Sequence, residues 1–281
     1  MVHKAVRSIP SMTWRNGGVS DAMRAVPEET AVAISYNGGT YAVMMATPGD
    51  LEDFATGFSL SEGVVETASQ INSLDVVELD DGIELRMWIG EAIAERLQQR
   101  RRHIAGPTGC GLCGIESIAE AMRPAATVGA GRQFSPEQIV SAIQAVPALQ
   151  KINIETRAVH AAAFWGPTQG IVCLREDVGR HNALDKLAGA LAREKVTTTN
   201  GMVLLTSRVS VEMVQKTATI GAPVLVAVSA PTALAVRMAD AAGITLAAIA
   251  RADGFEVFTH PGRIAASAAD LANVQGVAGV A

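Results

Sequence analysis

The chain lacks a long apolar run. No stretch reaches the roughly 18 consecutive apolar residues of a membrane-spanning helix, because the richest one, Ala222 to Ala250, is broken by Pro223, Pro231, Arg237 and Asp240. It also lacks a basic surplus: 23 Lys and Arg stand against 28 Asp and Glu, a formal net charge of −5. That balance speaks against a nucleic-acid binder held by a global basic field. Cysteine is scarce, with three residues in 281, too few for a disulfide framework. Aromatics make up 4% against 49% apolar residues in all, which excludes a disordered chain and suits closely packed helices and parallel strands. No Walker pattern and no Gly-x-Gly-x-x-Gly occur, so no nucleotide fingerprint names a ligand. The expectation is a soluble, cytoplasmic protein of one large or two modest domains, with no membrane and no nucleic-acid partner.

Four regions follow from the pattern. Residues 1–29 carry His3, Lys4, Arg7, Arg15 and Arg24 with no acid before Asp21. They lack the apolar run and cleavage site of a secretory signal, and are read as a basic, solvated arm, a weak organelle presequence being the alternative. Residues 30–103 read as a small α+β domain. Strand-like runs Ala31 to Tyr36 and Thr40 to Ala46 flank Asn37-Gly38-Gly39, a hairpin signal. Thr47-Pro48 then predicts a capped helix bearing Leu51, Phe54, Ala55 and Phe58, and a second strand pair turns at Asp80-Asp81-Gly82. Glu91 to His103 predicts a helix ending in Arg100-Arg101-Arg102-His103, which suits the negative end of its dipole. Residues 104–114 form a Gly-rich loop with Pro107, expected to be mobile.

Residues 115–281 predict an α/β domain. Ile115 to Arg123 reads as helix, and Ser135-Pro136-Glu137-Gln138 as a capping box opening another. From about Ala158, short apolar strands (Val159 to Trp165, Ile171 to Leu174, Met202 to Thr206, Val224 to Val228, Ile244 to Ala250, Glu256 to Thr259) are interleaved with amphipathic helical stripes. Such alternation implies right-handed crossovers and a parallel sheet covered on both faces. Ligands then bind outside the carboxyl ends of the strands. That edge is loaded with Arg175, Glu176, Asp177, Arg180, His181 and Asn182, then Ser207, Arg208, Ser210 and Glu212, then Ser229, Pro231 and Thr232, then Arg251 and Asp253. Singly these are ordinary caps and ion-pair partners. As a set, the arginines and several helix starts on one rim point to an anionic, phosphate-bearing ligand.

The loop holds Cys110-Gly-Leu-Cys113. A closed zinc site needs four ligands, whereas Cys173 lies in an apolar strand and the five histidines show no paired ligand spacing, so no protein-ligated metal is expected. A thioredoxin-type pair would sit at a strand-to-helix junction, not after a Gly-Pro loop. A zinc deaminase needs His-x-Glu before Pro-Cys-x-x-Cys, but here the order is reversed and Ala162 stands where the acid belongs. Persulfide chemistry asks only for an accessible thiolate on a mobile loop, whose pKa nearby cations lower.

Several segments carry a resemblance: Tyr36-Asn37-Gly38-Gly39, Thr47-Pro48-Gly49-Asp50-Leu51, Cys110-Gly111-Leu112-Cys113-Gly114, His160-Ala161-Ala162, Asp177 through Lys186, Arg208 to Lys216, Ser229-Ala230-Pro231-Thr232 and Thr259-His260-Pro261-Gly262-Arg263. In this order the chain resembles the formate dehydrogenase accessory sulfurtransferase family (FdhD). The resemblance implies a cytidine-deaminase-like C-terminal α/β domain with a mostly parallel sheet, without deaminase chemistry, in a homodimer. It implies a sulfurtransferase that takes persulfide sulfur from a cysteine desulfurase and passes it to the molybdenum bis-pyranopterin guanine dinucleotide cofactor, the cargo destined for formate dehydrogenase. By motif position Cys110 is the carrier and Cys113 the second thiol. The cargo would lie on Arg180, His181, Asn182, Arg208, Ser210, Ser229 and Thr232, with a further family-based contact across Ile249, Ala250, Arg251, Ala252, Asp253 and Gly254. Two rivals predict different outcomes: a non-catalytic cofactor-binding chaperone, and a dithiol oxidoreductase. The chain departs from the family at Arg157-Ala158, where a Gly pair is common, and at Ser207, where the family has Gly before the arginine.

Overall fold

The structure, a computed structural model, describes residues 4–104 and 122–265. The basic arm is a hairpin rather than loose chain. Strands β1 (Val6–Arg15) and β2 (Gly18–Pro27) pair antiparallel along their whole length. Asn16 and Gly17, both at positive φ, make the two-residue turn, a geometry that matches strand twist.

The first domain is a four-stranded sheet in the order β4-β3-β6-β5. Its strands are β3 (Thr30–Tyr36), β4 (Gly39–Ala46), β5 (Ile71–Leu79) and β6 (Gly82–Ile89). Helix α1 (Leu51–Ser61) lays Phe54, Ala55 and Phe58 on Val32, Ile34 and Leu85 to make one core. The next helix, α2 (Glu91–Ile104), adds Ile93, Ala94 and Leu97 to its edge. The helix expected over Ile115 to Arg123 falls mostly outside the described residues; Met122 is a turn and Arg123 is not helical.

The second domain is a six-stranded sheet in the order β12-β11-β10-β9-β7-β8. Helix α3 (Pro136–Leu149) opens with the expected Ser135/Gln138 capping box, and α4 (Lys151–Thr156) follows. The strands are β7 (His160–Gly166), β8 (Gly170–Asp177), β9 (Met202–Leu205), β10 (Val224–Ala227), β11 (Thr245–Arg251) and β12 (Gly254–Val257). Helices α5 (Arg180–Arg193), α6 (Val211–Ile220) and α7 (Ala233–Ala241) pack one face through Leu184, Leu187, Val214 and Ala239; α3 packs the other through Ile139 and Ile143.

Within this six-stranded sheet β9, β10 and β11 pair in parallel, while β7 pairs antiparallel with both β8 and β9, and β12 antiparallel with β11. The continuous βαβ pattern expected from the sequence therefore holds for the centre alone, because Pro167 to Gln169 is too short to be a crossover. Four strands, β8 to β11, still point the same way, so their carboxyl ends share one rim, and the reversed β7 brings its first residue, His160, to that rim too. Among the described residues no helix is long and apolar enough to cross a membrane.

The two domains meet where α1 crosses α5. A Cβ added at Gly57 would lie 1.7 Å from the Asp185 carbonyl oxygen, and one at Gly189 1.8 Å from that of Asp53; only glycine permits this backbone contact. Beside the crossing lies a buried ionic seam. Asp177 and Lys186, both at 0% exposure, pair at 2.6 Å. The Thr47 N–H donates to Asp177 Oδ2 at 3.0 Å, the Val178 N–H donates to Thr47 Oγ1, and Lys186 Nζ donates to the Thr47 carbonyl. Thr47 is thus not the helix cap that its sequence position suggests: α1 begins at Leu51 behind Asp50, which is left-handed and makes no side-chain cap. The polar groups of Thr47 are committed across the seam instead.

Candidate functional site

At the rim, α5 starts without a side-chain cap after Gly179, leaving helix N–H groups and the positive end of the dipole facing outward. Arg180 is the first residue of that helix. Its Nε is sealed from solvent and has no hydrogen-bond partner among the described residues. A buried guanidinium nitrogen without an acceptor costs about 1–3 kcal/mol, a deficit that an anionic ligand would remove. On the strand side lies His160, half-buried, and on the helix His181. Burial, then the Arg180 charge, holds both imidazoles below their ordinary value, so at neutral pH they are uncharged and the positive charge rests on arginine.

The loop after β9 adds Arg208, exposed and with no partner among the described residues. Ser210, at the cap position of α6, donates its hydroxyl to Glu212 Oε2 at 2.7 Å. Burial opposes ionisation of Glu212, but Ser210, its own backbone N–H, His181 and Arg180 together keep its carboxyl below the usual range. The loops after β9 and β10 are tied by a bridge between Val209 and Pro231 and by the Thr232 N–H donating to the Val209 carbonyl, which holds Arg208 and Ser229 on one ledge. The last residues of β11 bulge between Ala248 and Arg251, with Ile249 at φ 55°. A β-branched residue in that region costs on the order of 1–3 kcal/mol and is concentrated at functional sites. Ala252 and Asp253 form the exposed turn before Gly254.

The structure sorts the expected site residues into two groups. Arg180, His181, Arg208, Ser210 and Ser229 come together at the rim, with Ile249 to Gly254 at its far end. Asn182 points the other way: its amide donates to the Met45 carbonyl at 2.8 Å and to Asp177 Oδ1 at 3.0 Å, so it fastens the seam. Thr232 caps α7 through the Ala235 N–H. Arg251 folds back on the carbonyls of Val228 and Ala250.

Arg175 and Glu176, placed beyond their strand from the sequence, are still inside β8. Arg175 pairs with Asp53 at 2.8 Å, and Glu176 accepts the N–H groups of Ile152 and Asn153 at the start of α4. Sequence reasoning missed His160 as a rim group, because periodicity carries no strand direction, and missed Glu212 as the counter-charge to His181. Cys173 is the buried core thiol expected, its pKa pushed up to about 11 by burial. Cys110 and Cys113 lie outside the described residues. The described chain resumes beside α6: Arg123 donates to the Ser61 carbonyl at 3.0 Å, and Gln215 donates to the Arg123 carbonyl at 2.6 Å.

Comparison with known proteins matches residues 27–265 to the model of the FdhD/NarQ family. The chain belongs to the FdhD/NarQ family. It is 51% identical to the sulfur carrier protein FdhD of Agrobacterium fabrum over 264 residues, 94% of this chain and 97% of that one. To the sulfur carrier protein FdhD of Brucella abortus it is 50% identical over 262 residues, 93% and 97% of the two chains. A crystal structure described as a formate dehydrogenase accessory protein from Desulfotalea psychrophila superposes with a TM-score of 0.72 at 25% identity, covering 93% of this chain and all of the other. Arg157 closes α4 at φ 59°, the left-handed conformation that glycine adopts without strain.

Proposed function

We propose that the chain is a sulfur carrier acting as a sulfurtransferase in formate dehydrogenase maturation. The Cys110 thiolate attacks the outer sulfur of a cysteine desulfurase persulfide. A new S–S bond forms on Cys110 as the desulfurase thiolate leaves. The terminal sulfur is then transferred to the metal of a molybdenum bis-pyranopterin guanine dinucleotide, which is substrate and cargo here, not a resident cofactor: the S–S bond breaks, the Cys110 thiolate leaves, and the two electrons that reduce the sulfane sulfur to sulfide come from the molybdenum. Cys113, three residues on, assists release of the sulfur.

The observation that carries this reading is Arg180: a guanidinium whose buried Nε has no partner among the described residues, at the start of α5 where no side chain caps the helix, with two neutral histidines beside it and Arg208, also without a partner among the described residues, on the same rim. That arrangement is a receptor for a large polyanion, and the guanine dinucleotide arms of the cargo are such an anion. Cys113 stands ten positions before Arg123, a tether of at most about 33–36 Å from the point where the chain lies against α6.

The test is mass measurement after incubation with a desulfurase and cysteine. The wild-type chain gains one sulfur and Cys110→Ala does not; equal loading of the variant would overturn the assignment. A chaperone whose thiols only steady a loop predicts full maturation with Cys110→Ala. A dithiol oxidoreductase predicts a Cys110–Cys113 disulfide that turns over with reductant.

A further inference from the structure

The turn that launches α5 is held from the other domain. Residues 45–47, at the end of β4 and just beyond it, make a set of polar links to residues 177–186. The Met45 carbonyl accepts from the Asn182 amide at 2.8 Å, and the Thr47 carbonyl from Lys186 Nζ at 2.8 Å. The Thr47 N–H donates to Asp177 Oδ2 at 3.0 Å, and its hydroxyl accepts from the Val178 N–H at 3.1 Å. Thr47 and Asp177 are both at 0% exposure, so bulk water replaces none of these partners.

Asp177 has no accepting capacity left over. Its Oδ2 takes Thr47 and Lys186, while Oδ1 accepts from the Gly179 N–H at 2.8 Å and from Asn182 at 3.0 Å, which fills the lone-pair sites of a carboxylate. Two consequences reach the rim. A carboxylate three residues before Arg180 would be a natural partner for that guanidinium, yet it is spent on other donors, and the Arg180 charge stays available to a ligand. The turn is also packed as well as bonded: a Cβ at Gly179 would lie 2.9 Å from Asn182 Nδ2 and 3.4 Å from Asp177 Oδ1.

We propose that Thr47 is a positioning residue for the rim: from the first domain it holds Asp177 and Val178, and through them it sets where Arg180 presents its guanidinium. The proposal rests on the reading that the rim binds the anionic arms of the cargo. Without the Thr47 hydroxyl the Val178 N–H has no acceptor, the turn before the helix relaxes, and Arg180 moves with it. The coupling runs both ways, since a ligand that prefers the held geometry must also favour the Thr47 contacts.

Titration calorimetry with guanosine diphosphate as the probe tests this. Thr47→Val, which keeps the shape and removes the hydroxyl, weakens probe binding about tenfold, and Thr47→Ser restores it. In an Arg180→Ala background Thr47→Val costs no more than about twofold further, because the residue acts through Arg180. Leu85→Val separates positioning from stability: it trims the buried core of the same domain and lowers the urea midpoint, yet leaves probe affinity unchanged. A second readout needs no variant. On the wild-type chain the probe slows hydrogen exchange at the Thr47 and Val178 amides, while the amides of the edge strand β5 exchange as before. Wild-type affinity in Thr47→Val alongside weakened binding in Arg180→Ala, an equal loss in Leu85→Val, or exchange at Thr47 and Val178 indifferent to the probe would each overturn the proposal and leave the rim standing. Probe affinity that ignores Arg180→Ala would overturn the rim and the proposal together.

Discussion

Helix α5 is two sites in one element. Along its body the buried charges of the seam are paired: Lys186 with Asp177, and Asp185 with Lys216 at 2.6 Å. In its first turn, Arg180 has a buried nitrogen with no acceptor among the described residues, and Gly179 at the cap position offers no side chain to the helix start. The same helix thus closes one polar network completely and leaves another open. Completed networks specify an arrangement of domains; an incomplete one at a helix start is poised for a ligand that supplies the missing charge. The two regions therefore differ in what a substitution costs.

The largest expected effect is in the seam. Lys186→Met keeps the volume but leaves Asp177 buried and unpaired, and should destabilise the fold by about 3–5 kcal/mol, read as a fall in the urea midpoint with little change in slope. Next is the helix crossing. Gly189→Ala puts a methyl where the Asp53 carbonyl already stands, and should cost about 1–3 kcal/mol. If either variant were as stable as wild type, the seam would not be the closed network described.

The rim reverses the pattern. Arg180→Ala and Arg208→Ala should change stability by no more than about 0.5 kcal/mol, and removal of the orphaned Nε can even stabilise. Binding of guanosine diphosphate, as a probe for the cargo's nucleotide arm, should weaken by about 1.5–3 kcal/mol per arginine, measured by titration calorimetry. A variant that unfolds while retaining probe affinity would invert the comparison.

The smallest effect is in pH. His160 and His181 titrate below their ordinary 6.5 in the folded chain. As pH falls below 6.5 the unfolded chain takes up protons first, so their contribution to stability, complete above 6.5, is lost on the way down to the depressed folded values. A bound anion raises both values, so probe affinity should rise over the same descent. His160→Gln with His181→Gln should flatten both profiles; unchanged profiles would remove the histidines from the rim.

Much of this was legible in the residues. The Ser135/Gln138 cap, the Asn37-Gly38 hairpin and the Asp80-Asp81-Gly82 turn use chemistry that is local, so their sequence is their structure. The rim was legible because strand ends and helix starts follow from alternation. What failed was non-local. Thr47 has the chemistry of a cap whether it faces a helix or a neighbouring domain, and Arg175 looks the same whether it meets a ligand or Asp53. Asn182 and Thr232 belong to that class also. The reversed direction of β7 depends on the shortness of one loop, and the hairpin of residues 6–27 on an Asn16-Gly17 turn inside a segment dominated by its charge.

Carrier and receptor are separable in this chain: the thiol loads the sulfur and the rim holds what receives it. Sulfur-loaded Arg180→Ala should carry one sulfur per chain, as wild type does, yet deliver it to the molybdenum cofactor at least about tenfold more slowly, the loss expected from one charged hydrogen-bond donor. Delivery at the wild-type rate from that variant would contradict the claim that the rim holds the cargo.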